Sequence, residues 1–150
     1  MDSTAKYSQT SNLIPSPYLG DDQTFNPEYS KEISGNNALS DFNGASNTEV
    51  LVGLGTDYTA ANACWNYKDG SSNLQWYLPA AGELGFLVAR FNAINASITA
   101  VGGSSVISNG FWSSSEHSSD AAYVVGTHNG IVSKDWKNRD HFVRPFAVLA

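Results

Sequence analysis

Gly110-Phe111-Trp112-Ser113-Ser114-Ser115-Glu116 opens the stretch whose reading decides the fold. From there onward, short runs of strand-forming residues alternate with turn residues: Gly110 to Ser115, Ala121 to Val125, Gly130 to Lys134 and Phe142 to Val148. Asn129-Gly130 is the strongest two-residue hairpin signal in the chain, and it is expected to join the second run to the third. Val143-Arg144-Pro145-Phe146 closes the frame. Between these anchors stand His117, Asp120, Tyr123, His128, Ile131, Asp135, Trp136, Asn138, Arg139, Asp140 and His141, a chemically mixed set with no periodicity of its own. The frame does not need these side chains, so the set points to function.

Upstream, Leu84, Leu87, Val88, Phe91, Ile94 and Ile98 recur at steps of three and four and predict one amphipathic helix. Pro79 precedes or occupies its first turn, where a missing N–H costs nothing, and Gly102-Gly103 stops it. A second helix is expected over the alanine-rich run with Ala60, Ala61, Ala63 and Cys64, ending near Lys68-Asp69-Gly70. Cys64 reads as a small buried apolar residue rather than a reactive thiol. Thr48 is expected to cap a short turn over Glu49-Val50-Leu51-Val52. The opening segment through Asn47, with Pro15, Pro17 and Pro27, is expected to wrap the core as short strands and loops, residues 1–12 being linker or disordered. Two helices on antiparallel strands make an α+β domain, single over residues 1–150 and loop-rich in its C-terminal half.

That length suits one core burying roughly two thirds of the unfolded surface. Apolar residues at 41% argue against disorder, while a charged fraction of 15% with abundant Ser, Asn and Gly favours loops, which usually carry function. The net charge of −6 is unevenly placed: four cations face ten anions in residues 1–110, and four of each occupy residues 111–150, with every histidine. No run of Lys or Arg exists to grip phosphates, so nucleic acid is excluded as a partner. No apolar run reaches the roughly 18 residues that span a bilayer, and direct membrane insertion is not expected. One cysteine leaves no internal disulfide and no cysteine-based zinc site.

Catalytic constellations do not assemble. His117, His128 and His141 lie 11 and 13 residues apart, which matches no metal-ligand spacing, so neither a metal nor another cofactor is expected. Glu116 and Asp120 could form an acid/base pair, but solvated or capping roles are commoner for such carboxylates. Ser113-Ser114-Ser115 fits strand hydroxyls that satisfy backbone groups, and Asn95-Ala96-Ser97 fits a glycosylation pattern on a helix, where it is discounted. The tail instead has the composition of a recognition surface, in which Tyr and Trp give contact area and Ser, Asn, Asp and His give adaptable hydrogen bonds. Trp136 is open to two readings, an exposed anchor or a core residue.

Five segments in order resemble a known family: Asn37-Ala38-Leu39-Ser40-Asp41-Phe42-Asn43-Gly44, Tyr58-Thr59-Ala60-Ala61-Asn62-Ala63-Cys64, Trp76-Tyr77-Leu78-Pro79-Ala80-Ala81-Gly82-Glu83-Leu84, Phe111-Trp112-Ser113-Ser114-Ser115-Glu116 and Val143-Arg144-Pro145-Phe146. Together, from about residue 13 to the end, they resemble the variable proteins of diversity-generating retroelements, in particular those of gut Bacteroides-type bacteria and their phages. The resemblance implies a C-type-lectin fold shared with formylglycine-generating enzymes, whose C-terminal strands and loops, here residues 111–146, display diversified residues. It further implies a non-enzymatic module on a phage tail or a bacterial surface, with a protein or glycan on a cell surface as ligand and any oligomerisation through the parent protein.

In that family an adenine-directed copying step rewrites asparagine-type codons. His117, Ser119, Asp120, Tyr123, His128, Ile131, Ser133, Asp135, Asn138, Arg139, Asp140 and His141 are all residues such codons allow, whereas Lys134, Trp136 and Lys137 are not. With Trp136 added as an anchor, these form the expected ligand-binding set. Trp76, Glu83, Trp112, Glu116 and Arg144 are expected to hold the fold, Arg144 serving buried carbonyls or a carboxylate such as Glu83 or Glu116. Formylglycine-generating enzymes use paired cysteines with copper, and Cys64 stands alone. A calcium-dependent sugar-binding lectin clusters carboxylates and amides on one loop beside a cis-proline, whereas the tail's proline, Pro145, falls in its last strand.

Overall fold

The computed structural model describes residues 3–7, 38–68, 70, 73–118 and 120–148. They form a mixed α+β fold with four helices and a mostly antiparallel sheet. In chain order these are β1 (Ser3–Lys6), α1 (Gly44–Leu54), α2 (Thr59–Trp65), β2 (Trp76–Tyr77), α3 (Ala81–Ala89), α4 (Phe91–Ala100), β3 (Gly110–Glu116), β4 (Ala121–Gly126), β5 (Val132–Trp136), β6 (Asp140–Val143) and β7 (Phe146–Ala147). The main sheet runs β1-β6-β3-β4-β5, and β2 pairs with β7 in a separate two-stranded sheet. All pairings are antiparallel except β3 with β6, which meet in parallel at Phe111 and Phe142.

β3 and β4 sit in the middle of the sheet and are buried along almost their whole length. Side chains alternate across a strand, so each of these two feeds two cores. Trp112, Ala122 and Val124 pack with Leu51, Tyr58, Ala60, Ala61 and Cys64 of the α1–α2 region and with Tyr7 just after β1. Phe111, Tyr123 and Val125 pack on the other side with Ala81, Leu84 and Leu87 of α3. Trp112 is fully buried, and its indole N–H donates to the Ala5 carbonyl at 3.0 Å, which fixes β1 to the core.

Several expectations are corrected. Residues 3–6, expected as linker, pair with β6, and Tyr7 is buried; residues 8–37 of the expected opening wrap lie outside the described residues. Two helices were expected, and four are present among the described residues. The 84–98 stripe is divided between α3 and α4 because Arg90 leaves helical dihedrals, with neither Gly nor Pro marking the break. Thr48 does not cap a turn. It lies inside α1, where its hydroxyl donates to the Gly44 carbonyl at 2.7 Å and accepts the Leu78 N–H at 3.0 Å. The last strand is cut in two at Arg144-Pro145, and β7 turns away to join β2. The hairpin at Asn129-Gly130 is present, but its loop is longer than two residues: the Gly126 N–H reaches the Ile131 carbonyl at 2.9 Å, closing residues 127–130. Cys64 is fully buried as expected, and burial pushes its thiol up to about 12.

A buried polar frame joins three of the motif segments. Ser113, Ser114 and Ser115 of β3 are all buried because the strand is covered on both faces, and its register with β4 is irregular between Trp112 and Glu116. Asp41 accepts from the Ser115 hydroxyl at 2.7 Å, the Asn47 amide at 3.1 Å and the Asn43 N–H at 2.9 Å. Glu83 accepts from the N–H of Ala80 at 2.9 Å, the N–H of Gly44 at 3.1 Å and the Tyr77 hydroxyl at 2.6 Å, so one carboxyl serves the starts of α1 and α3. Burial raises its pKa and these three donors pull it back. The approach is so close that a Cβ on Gly44 would stand 2.2 Å from Glu83 Oε1, and one on Gly82 would stand 2.4 Å from the Asp41 carbonyl.

Candidate functional site

β5 is an edge strand, and β6 follows it after a turn over residues 137–139 without being its neighbour in the sheet. The chain dives at that turn, and the residue that dives is Lys137, only 3% exposed between Trp136 at 42% and half-buried Asn138. Its ammonium donates to Glu116 Oε2 at 2.7 Å, and its N–H donates to the Asp120 carbonyl at 2.9 Å. Glu116 ends β3, and the 117–120 loop follows it. A buried ion pair and a main-chain bond therefore tie that loop to the end of β5.

The two tied segments wall a depression of about 430 Å³ lined by His117, Ser118, Asp120, Ala121, Lys134, Asp135 and Trp136. Its size is that of an ordinary small-molecule site. Trp136 supplies an exposed aromatic face. Lys134 lies two residues back on the same face of β5, opposite Tyr123 in register. His117 stacks edge-on against the Tyr123 ring with centroids 5.3 Å apart, and Ser118 donates to Asp120 at 2.9 Å. Asp135 is committed inward: one oxygen accepts the Trp136 N–H at 2.8 Å, and the other meets His141 Nε2 at 2.7 Å. His141 in turn lies edge-on to Trp112, with centroids 4.8 Å apart.

The expected binding set is therefore only partly gathered. His117, Asp120, Asp135 and Trp136 surround the depression. Asn138 and Arg139 occupy the adjoining turn, while exposed Asp140 lines a different hollow with Thr4, Ala5, Thr59 and Asn62. Exposed Ser133 lies farther along β5. His128 and Ile131 are exposed at the opposite end of the β4–β5 hairpin, roughly 16 Å away for five residue steps along a strand. Tyr123 is placed otherwise than a displayed residue: it is 2% exposed inside the α3-side core, because its strand is covered on both faces. Ser119 lies outside the described residues.

Trp76, Glu83, Trp112, Glu116 and Arg144, expected to hold the fold, have these surroundings. Trp76 packs edge-on against Tyr67 at 5.0 Å, and Trp112, Glu83 and Glu116 have the roles above. Arg144 donates to the Ser104 carbonyl at 2.8 Å in an exposed setting; Glu83 is held by main-chain N–H groups and Tyr77, and Glu116 by Lys137. Asn95 is occupied by the backbone of Val106, donating at 3.1 Å and accepting at 2.7 Å. Sequence reasoning missed Ser118, Ala121 and Lys134 in the lining. It also gave Lys137 no definite place, since a lysine in a turn carries no signal that it points inward.

Burial moves both members of the ion pair toward neutrality. Desolvation lowers the Lys137 pKa, and it pushes the Glu116 carboxyl up to about 7 despite the pull of Lys137. The second Glu116 oxygen, Oε1, is buried with no hydrogen-bond partner. A folded-state value above the unfolded one means that the contribution of Glu116 to stability is fully present below pH 4.5 and lost as pH rises through 7. We predict that unfolding free energy falls by on the order of 2 kcal/mol from about pH 5 to about pH 7.5 through this group. Denaturant titrations of the protein and of Glu116→Gln check it, since the decline should flatten in the variant; parallel pH profiles would refute it.

Among the described residues, no three His, Cys, Asp or Glu side chains group as a metal ion would need, and no helix is long and apolar enough to cross a membrane. No family model and no curated protein sequence matches the chain. Among solved structures, the fold is similar to that of a fimbrial protein from Bacteroides ovatus, with 23% identity and a TM-score of 0.61 over 99% of this chain and 34% of that one. The chain thus spans about a third of the length of the fimbrial protein it resembles.

Proposed function

We propose that this chain is a non-enzymatic ligand-binding module of adhesion type, displayed on a bacterial cell surface and built on a C-type-lectin-like fold as a variable protein of a diversity-generating retroelement. One observation carries the reading: the groups that hold the fold and the groups that line the depression are different residues. Asp41, Glu83, Ser115 and Trp112 are joined by buried hydrogen bonds to one another or to the backbone, while His117, Asp120 and Trp136 stand at the rim of the sheet and contribute little to those bonds. Such a division lets the rim change identity without collapse, which a diversified surface requires. The fold likeness to a Bacteroides fimbrial protein fits display on a cell envelope and favours it over a phage tail. The ligand-contacting set is His117, Asp120 and Trp136, with Asn138 and Arg139 on the adjoining turn; His128, Ile131 and Ser133 extend the variable surface along the hairpin.

Replacing Asp120, Trp136 and Arg139 together with Ala is expected to abolish binding to cell-surface protein and glycan arrays while Tm stays within about 3 °C, since Trp136 and Arg139 are exposed and Asp120 is half-buried. Binding equal to that of the parent protein would remove the site. The neighbouring DNA supplies a separate check of the diversification: a near-copy of the codons for residues 111–146, differing at adenines, beside a reverse transcriptase.

A further inference from the structure

We infer that the Trp136 depression takes a neutral pyranose, a sugar residue of a glycan, stacked on the indole face. This deepens the binding-module reading and rests on it. Four observations lead there. Trp136 offers a half-exposed aromatic plate at the edge of β5, and a pyranose ring presents a face of C–H groups that such a plate covers well. The volume of about 430 Å³ holds one or two sugar rings and is too small for a folded protein surface to enter.

The polar lining is balanced in sign. Lys134 carries the positive charge and Asp120 the negative one, while Asp135, which also lines the space, is turned to His141 and to the Trp136 N–H. A cationic ligand would meet the ammonium and an anionic one the carboxylate. A purely apolar ligand would strip water from both without replacing it. Sugar hydroxyls donate and accept at once, so a neutral polyol can satisfy both groups and the Ser118 hydroxyl together.

An extended peptide is disfavoured by the backbone. Lys137 N–H bonding the Asp120 carbonyl and Gly126 N–H bonding the Ile131 carbonyl set the ladder phase, so that Trp136, Lys134 and Val132 direct their main-chain groups outward from β5. At Trp136 both are already taken: the N–H by Asp135 Oδ1 at 2.8 Å and the carbonyl by the Arg139 N–H at 3.0 Å. Strand addition at Trp136 itself thus lacks its partners, and recognition at that position falls to side chains.

The test is NMR titration of the intact chain, following the Trp136 indole N–H in the parent and the backbone amides of Ala121 and Lys134 in the parent and in every variant. The probes are the methyl glycosides of glucose, galactose, mannose and N-acetylglucosamine, with glucosamine and sialic acid as charged controls. The expected result is a saturable shift with at least one neutral glycoside, at a Kd in the millimolar range normal for so small a ligand. Trp136→Ala should weaken it at least tenfold, Trp136→Tyr should keep most of it, and both variants should melt with the parent. No saturable shift with any neutral glycoside, preference for a charged control, or a response unchanged in Trp136→Ala would overturn the assignment. Arrays of host glycans and of bacterial polysaccharides then separate the two sources of such a sugar, either of which upholds it. Trp136-dependent binding to unglycosylated proteins alone would sink the sugar while leaving the binding module standing; binding to nothing on any array would sink both.

Discussion

Lys137→Met is expected to destabilise the protein by about 3–5 kcal/mol at about pH 8, the cost of leaving a buried charge without its partner. Glu116 is 2% exposed, one of its carboxyl oxygens already lacks a partner, and removing the ammonium 2.7 Å from the other leaves the buried carboxylate without that counter-charge. Two further outcomes separate this cause from simple loss of packing. At about pH 5, where the carboxyl takes up a proton, the penalty should shrink by more than half. The double replacement Glu116→Gln with Lys137→Met should recover most of the loss, because no charge then remains buried. Denaturant midpoints for the four proteins at both pH values give the answer; a double variant as unstable as the single one would show that the ion pair is not what matters.

Asp41→Ala carries the second large effect. Asp41 is fully buried and its side chain accepts from Ser115, Asn47 and Asn43, so the substitution strands two buried donors and one part-buried donor. A loss of about 3 kcal/mol or more follows, lowering Tm by roughly 10 °C for a domain of this size. Ser115→Ala alone should cost less, and the pair should be non-additive by at least about 1 kcal/mol, since the hydroxyl and the carboxyl share one bond of 2.7 Å. Calorimetry on the three variants is the measurement, and strict additivity would break the proposed network.

Both predictions concern groups that composition and periodicity treat as surface, which explains where sequence reading succeeds and stops. β3 and β4 are legible as short runs of strand-forming residues set between turn residues, and α2 is legible as an alanine-rich run. The break at Arg90 is not, since a short apolar stripe continues across it without a Gly or Pro. Nor is the split of the last strand: Pro145 warns of it, but only the pairing of Phe146 with Tyr77 says where the chain goes next. At the site, residue type put Trp136, Asp120 and His117 in the expected binding set, and the structure sets all three around one depression. Residue type put Tyr123 in the same set, yet Ala121-Ala122-Tyr123-Val124-Val125 is an apolar run, and the structure buries that ring in the α3-side core. Asp135 and His141 stood in the same expected binding set, yet their mutual bond depends on a crossing of the chain that no local pattern encodes.

β1 and β6 run antiparallel with Ser3 beside Val143 and Lys6 beside Asp140. A pull applied at Ser3 and resisted at the Trp136 rim therefore enters this ladder at opposite ends. The two strands are drawn along their axes in opposing directions, so the rungs between them stretch together instead of opening one after another. A domain held at Ser3 and loaded at the Trp136 rim would therefore have this ladder strained in shear, every rung sharing the load.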